Sequence, residues 1–197
     1  VRWLGKLMDT AKEAGIRITL SLELPDQPMP VLIRMVQGVL DSYPQLDVLE
    51  WISPEGGGET RPVSRQEARE LIVQWFGEAA VPAELPEEPP LALEGTLKSL
   101  RRAAALYGHC REIFQGRKVL PVQIGLYVTC PETLKLCKQV MDRALPEEVT
   151  YSFLPAHGAK AVRDNIAYMD FAGPELQRTM LYSWIEFDGN MYLLQNS

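Results

Sequence analysis

The feature that most constrains this chain is a regular exchange between two hydrophobic periods. WLGKLMDTAKEAG carries Leu4, Leu7, Met8 and Ala11 at helical spacing, and Gly15 stops it. IRITLSLEL then alternates residue by residue and is β-branched, which predicts a strand of about seven residues. PDQPMP breaks the pattern. VLIRMVQGVLDSY returns to the helical period, Pro44 ends it, and LDVLEWIS is the next strand. SRQEARELIVQWFGEAA is a third helix, whose start is fixed by the capping-box spacing of Ser64 and Glu67. GTLKSLRRAAALYGHCREIFQ is a long fourth helix. KVLPVQIGLYV is apolar nearly throughout, as strands buried on both faces are. The helix PETLKLCKQVMDRAL, the strand EVTYSFLP, a shorter helix in AHGAKAVRDNIAYM and the strand LYSWIEFD complete the series.

Strict alternation of this kind predicts an α/β fold with a parallel sheet. A dinucleotide-binding sheet needs a glycine-rich turn after its first strand, and SLELPDQP has no glycine. Tryptophans and carboxylates stand at the strand C-termini instead, which favours the active face of a parallel (β/α)8 TIM-barrel. Only about five strands are legible, so the barrel is expected to be incomplete. The chain opens at Val1 already in a helical pattern and stops at LLQNS without a closing helix. The expectation is one partial barrel domain over residues 1–197, a piece of a longer protein. The Pro/Glu-rich stretch VPAELPEEPPLALEG, near 81–95, is expected to be an excursion within it, because the alternation resumes afterwards.

Composition narrows the partners. The net charge is −6 with no basic stripe, which argues against nucleic acid and anionic membrane surfaces. No apolar run approaches the roughly 20 residues of a membrane span. Cys110, Cys130 and Cys137 are odd in number and form no C-x-x-C, so neither a disulfide framework nor a structural zinc site is expected. Buried free thiols fit a reducing, cytoplasmic setting. Trp3 and Trp75, on helices, are expected in the core.

In a parallel barrel, function gathers at the strand C-termini. Read in order, these ends offer Glu23; Trp51 and Glu55; Tyr127 and Thr129; His157; and Trp184, Glu186 and Asp188. Two carboxylates across a cleft can cleave a glycosidic bond. One, protonated, donates to the leaving oxygen, and the other, ionised, attacks or activates water. Aromatic rings beside them can stack on the apolar face of a sugar. Trp51 with Glu55 and Trp184 with Glu186 supply those parts twice.

These residues resemble the catalytic barrels of clan A-type retaining glycoside hydrolases. In that group the acid/base Glu follows the fourth strand and the nucleophile Glu ends the seventh. With the first strand here taken as the third of eight, LDVLEWIS becomes the fourth and LYSWIEFD the seventh. The fragment then spans approximately strands three to seven. The resemblance implies Glu55 as acid/base and Glu186 as nucleophile, with Asp188 as its alternate on the same strand face. Glu23, Trp51, Tyr127, His157 and Trp184 are expected to line a sugar subsite. The SWIEFDGNMYLLQ tail is also similar to bacterial barrel proteins near the α-glucuronidases and hexosaminidases. Pro54 stands where many clan A enzymes have Asn. The implied partner is a carbohydrate substrate, and the chemistry needs no cofactor and no metal.

Two other classes fit the same residues. A metal-dependent barrel hydrolase or isomerase could draw oxygen and nitrogen ligands from Glu23, Glu55, His157, Glu186 and Asp188. A non-catalytic carbohydrate-binding protein could use the same scaffold without turnover.

Overall fold

The computed structural model describes residues 2–52, 61–127, 131–154 and 179–181. In chain order they form α1 (Arg2–Glu13), β1 (Thr19–Glu23), α2 (Met29–Ser42), β2 (Val48–Ile52), α3 (Arg65–Phe76), a 3-10 turn (Glu78–Ala80), α4 (Leu93–Gly108), α5 (Cys110–Ile113), β3 (Val122–Tyr127), α6 (Pro131–Ala144), β4 (Thr150–Leu154) and β5 (Thr179–Leu181). The fold is α/β, as the alternation predicts.

Local chemistry explains the boundaries. Ser64 caps α3: its hydroxyl accepts from the Glu67 amide at 3.2 Å, and the Glu67 carboxylate accepts from the Ser64 amide at 2.7 Å. Gly15, just past α1, has φ of 74°, a left-handed conformation that glycine adopts without steric cost. The Pro/Glu-rich excursion is shorter than the expected 81–95, because α4 already begins at Leu93. The long fourth helix expected from sequence is two helices, which meet at His109 (φ −91°, ψ 5°).

The sheet is five-stranded, wholly parallel and sequential, in the order β1-β2-β3-β4-β5. Among the described residues it is open, with β1 and β5 at its edges. A sequential parallel order without reversal, joined by right-handed crossovers, sends every connecting helix to the same side. The burial pattern agrees. Leu49 and Trp51 of β2, Val122 and Ile124 of β3 and Tyr151 of β4 share a buried cluster with Leu32 and Val36 of α2, Ile72 of α3 and Leu97 of α4. The register pairs Leu49 with Val122, Trp51 with Ile124 and Ile124 with Tyr151, which puts these side chains on one face. α4 lies centrally on that side and packs against α2, α3 and α6.

The two helical tryptophans part company. Trp75 packs partly buried against the core, with the Arg101 guanidinium 5.6 Å from its ring centroid. Trp3, expected in the core, is 70% exposed on α1. Met8 is the buried residue of that helix, and the turn carrying Trp3 and Leu7 faces outward. No helix among the described residues is long and apolar enough to cross a membrane.

Candidate functional site

The opposite face of the sheet has a different chemistry. Along β2 the residues between the apolar ones are Val48, Glu50 and Ile52. The register aligns Ser21, Glu50, Gln123 and Thr150 in one row across β1 to β4. It aligns Glu23, Ile52, Gly125 and Ser152 in the next row towards the strand C-termini. Glu50 is 3% exposed, and Gln123 and Ser152 are also buried.

Three neutral groups converge on Glu50. The Gln123 amide donates to Oε1 at 2.9 Å, the Ser152 hydroxyl donates to the same oxygen, and the Ser21 hydroxyl donates to Oε2. None of the ion pairs among the described residues includes Glu50. Burying a carboxylate costs several kcal/mol unless donors replace its water, and these three fill that role.

Gly125 completes the arrangement. A Cβ built there meets Ser152 Oγ at 3.1 Å, Glu50 Oε1 at 3.3 Å and Ile52 Cγ1 at 3.4 Å. Gly125 is not among the glycines with positive φ, so space rather than backbone conformation calls for glycine. The missing side chain lets Ser152, one row nearer the C-terminal edge, reach the carboxylate. Glu50 therefore leans towards that edge.

The residues singled out from sequence fall into three groups. Glu23 is the last residue of β1; it is exposed and in register with Ile52, on the same face as Ser21 and Glu50. Tyr127 is the last residue of β3, in register with Leu154. Glu55, Thr129, His157, Trp184, Glu186 and Asp188 lie outside the described residues. Trp51 requires a correction. Its ring is wholly buried in the cluster shared with the helices, so it cannot stack on a sugar. The reason is parity: Trp51 shares its face with Leu49, whereas the polar face takes Glu50 and Ile52. Its indole Nε1 is buried without a hydrogen-bond partner.

Glu50 is the central residue of β2, so the strand ends do not reveal it. Its signal is present mid-strand: Ser21 in TLSLE, Glu50 in VLEWI, Gln123 and Gly125 in VQIGLY and Ser152 in TYSFL are polar or small positions in apolar strands.

The loop leaving β1 is held at the C-terminal edge. Arg102 of α4 donates to the Pro25 carbonyl at 2.6 Å and pairs with Asp26. This guanidinium holds the Asp26 carboxyl below the usual aspartate range. At the other end of the strands, an apolar cleft of about 580 Å³ is lined by Tyr107, Cys110, Phe114, Val119, Leu120 and Glu148, among others. Burial pushes the Cys110 thiol up to about 12. That cleft opens at the N-terminal ends of β3 and β4, the end which in parallel α/β architecture serves stability rather than chemistry. No group of three or more potential metal ligands occurs among the described residues.

In comparison with known proteins, no family model, no curated protein and no solved structure matches this chain.

Proposed function

We propose that this chain is part of a (β/α)8-barrel glycoside hydrolase, in which Glu55 is the general acid/base and Glu186 the nucleophile, with Asp188 as its alternate. The observation that carries the reading is the sequential, all-parallel sheet with a polar, carboxylate-bearing face opposite its helices. A parallel barrel needs that strand order, and its interior is the face turned away from the helices. The C-terminal ends of β1 to β4 share one edge, and Glu55 and His157 each follow a strand that ends there, β2 and β4. In this reading Glu55 donates a proton to the leaving oxygen while Glu186 attacks the anomeric carbon. Glu55 then takes a proton from the water that releases the sugar. Glu23, Tyr127, His157 and Trp184 contribute contacts to the sugar.

The test is hydrolysis of a panel of aryl glycosides by the full-length protein and by its Glu55→Gln and Glu186→Gln variants. Each variant is expected to lose roughly 100- to 10,000-fold in kcat on the substrate the wild type cleaves. Wild-type kcat in both variants overturns the assignment.

A further inference from the structure

Resting on the glycoside hydrolase reading, we infer that Glu50 is a third carboxylate of the same site, a fixed anion beneath the sugar subsite that favours a ring carrying or developing positive charge. Four observations lead there. Glu50 lies on the sheet face away from the helices, where apolar residues would be cheaper to bury. Its carboxylate leans towards the C-terminal edge, over the gap left by Gly125. Its hydrogen-bond partners are two hydroxyls and an amide, which orient the carboxylate without cancelling its charge. No described cation pairs with it, so a positive charge is the complement this arrangement lacks.

The chemistry follows from the surroundings. In a water-poor interior a fixed charge acts on its neighbours far more strongly than in water. Glycosidic cleavage builds positive charge on the ring as the bond to the leaving group lengthens. A fixed anion below that ring stabilises the charged state over the neutral ground state, which is the differential stabilisation that accelerates a reaction. Glu50 is 3% exposed and acts through space, so it is a positioning and electrostatic residue rather than a catalytic one. The ligand class it selects is a sugar-shaped cation.

The experiment compares two probes of the same shape: a panel of protonated iminosugars and their neutral lactam counterparts. Binding to the full-length protein is measured by calorimetry at neutral pH, with circular dichroism and Tm as controls on folding. Wild type is expected to prefer the amine of at least one configuration. Glu50→Gln keeps the size and hydrogen-bonding capacity of the side chain. It is expected to weaken that amine by roughly tenfold or more and the lactam by less than about twofold. A merely structural Glu50 would weaken both probes equally, so an unchanged amine-to-lactam ratio overturns the inference and leaves the glycosidase reading standing. Binding of neither probe by the wild type overturns both. Should Glu50→Gln not fold, Gly125→Ala carries the test, because a methyl there crowds both Ser152 Oγ and Glu50 Oε1 and shifts the carboxylate within its site. A changed amine-to-lactam ratio supports the inference, and an unchanged ratio overturns it.

Discussion

The two faces of the sheet are built from the same strands, residue by alternate residue, and have opposite chemistry. On the helix side, Leu49, Trp51, Val122, Ile124 and Tyr151 are buried in one apolar cluster. There the stabilisation comes from area removed from water, at about 25 cal/mol per Å² of apolar surface. On the other side, Glu50, Gln123 and Ser152 are equally buried yet polar, and each is held by hydrogen bonds. Burial alone therefore does not tell core from site. Buried charged groups can often be replaced by well-packed apolar ones without loss of stability, so a polar network at this position is a candidate for a role beyond stability.

The largest effect should separate the faces by stability. Trp51→Ala removes the largest fully buried side chain and is expected to cost about 3–5 kcal/mol, read as a lowered urea midpoint. Trp51→Phe should cost much less, because Nε1 makes no hydrogen bond to lose. A near-neutral Trp51→Ala would break the assignment of that face as core.

On the polar face, Glu50→Ala strands the buried donors of Gln123 and Ser152, while exposed Ser21 can turn to water, and it is expected to cost about 2–3 kcal/mol. Glu50→Gln should cost clearly less, since it preserves acceptors for the same partners. Equal losses in the two variants would mean that charge, not hydrogen bonding, holds the network.

Glycine gives a smaller and more discriminating contrast. Gly125→Ala places a methyl 3.1 Å from Ser152 Oγ and 3.3 Å from Glu50 Oε1, and should destabilise by about 1 kcal/mol. Gly38, inside α2, has no neighbour within 4 Å of an added Cβ, and its φ is not positive. Gly38→Ala should therefore stabilise by about 0.5–1 kcal/mol. Opposite signs in one thermal-unfolding experiment would show that only Gly125 is required by its surroundings.

The smallest effect concerns the apolar end. Desolvation raises Cys110 from its ordinary 9.0 to about 12, so the folded protein keeps the neutral thiol where the unfolded chain ionises. Its contribution to stability is complete below about pH 9 and falls as pH rises from there towards 12. Alkylation at pH 8.5, followed by peptide mass mapping, should label Cys110 far more slowly in the native than in the unfolded protein.

Much of the fold was legible because periodicity reports burial directly. The capping box at Ser64 and Glu67, the stop at Gly15 and the first four strands were recoverable from residue pattern, whereas β5 begins at Thr179, ahead of the expected LYSWIEFD, of which only Leu181 is among the described residues. The break at His109 was not, since both flanking helices continue the same apolar spacing. The candidate site was less legible. Reading strand ends found Glu23 and Tyr127 at the C-terminal edge but placed Trp51 on the wrong face. Facing depends on parity within the strand, which proximity to its end does not give. Glu50 was hidden for a related reason: its partners come from three other strands, and only the register assembles them.

Ligand is expected to bind on the polar face, at the C-terminal edge. Hydrogen exchange of the full-length protein, with and without the tightest-binding iminosugar, tests it most directly. Protection is expected in peptides that follow β2 and β5 and in those spanning Glu50 and Gly125. Protection confined to Cys110–Val122, around the apolar cleft at the opposite end, would contradict it.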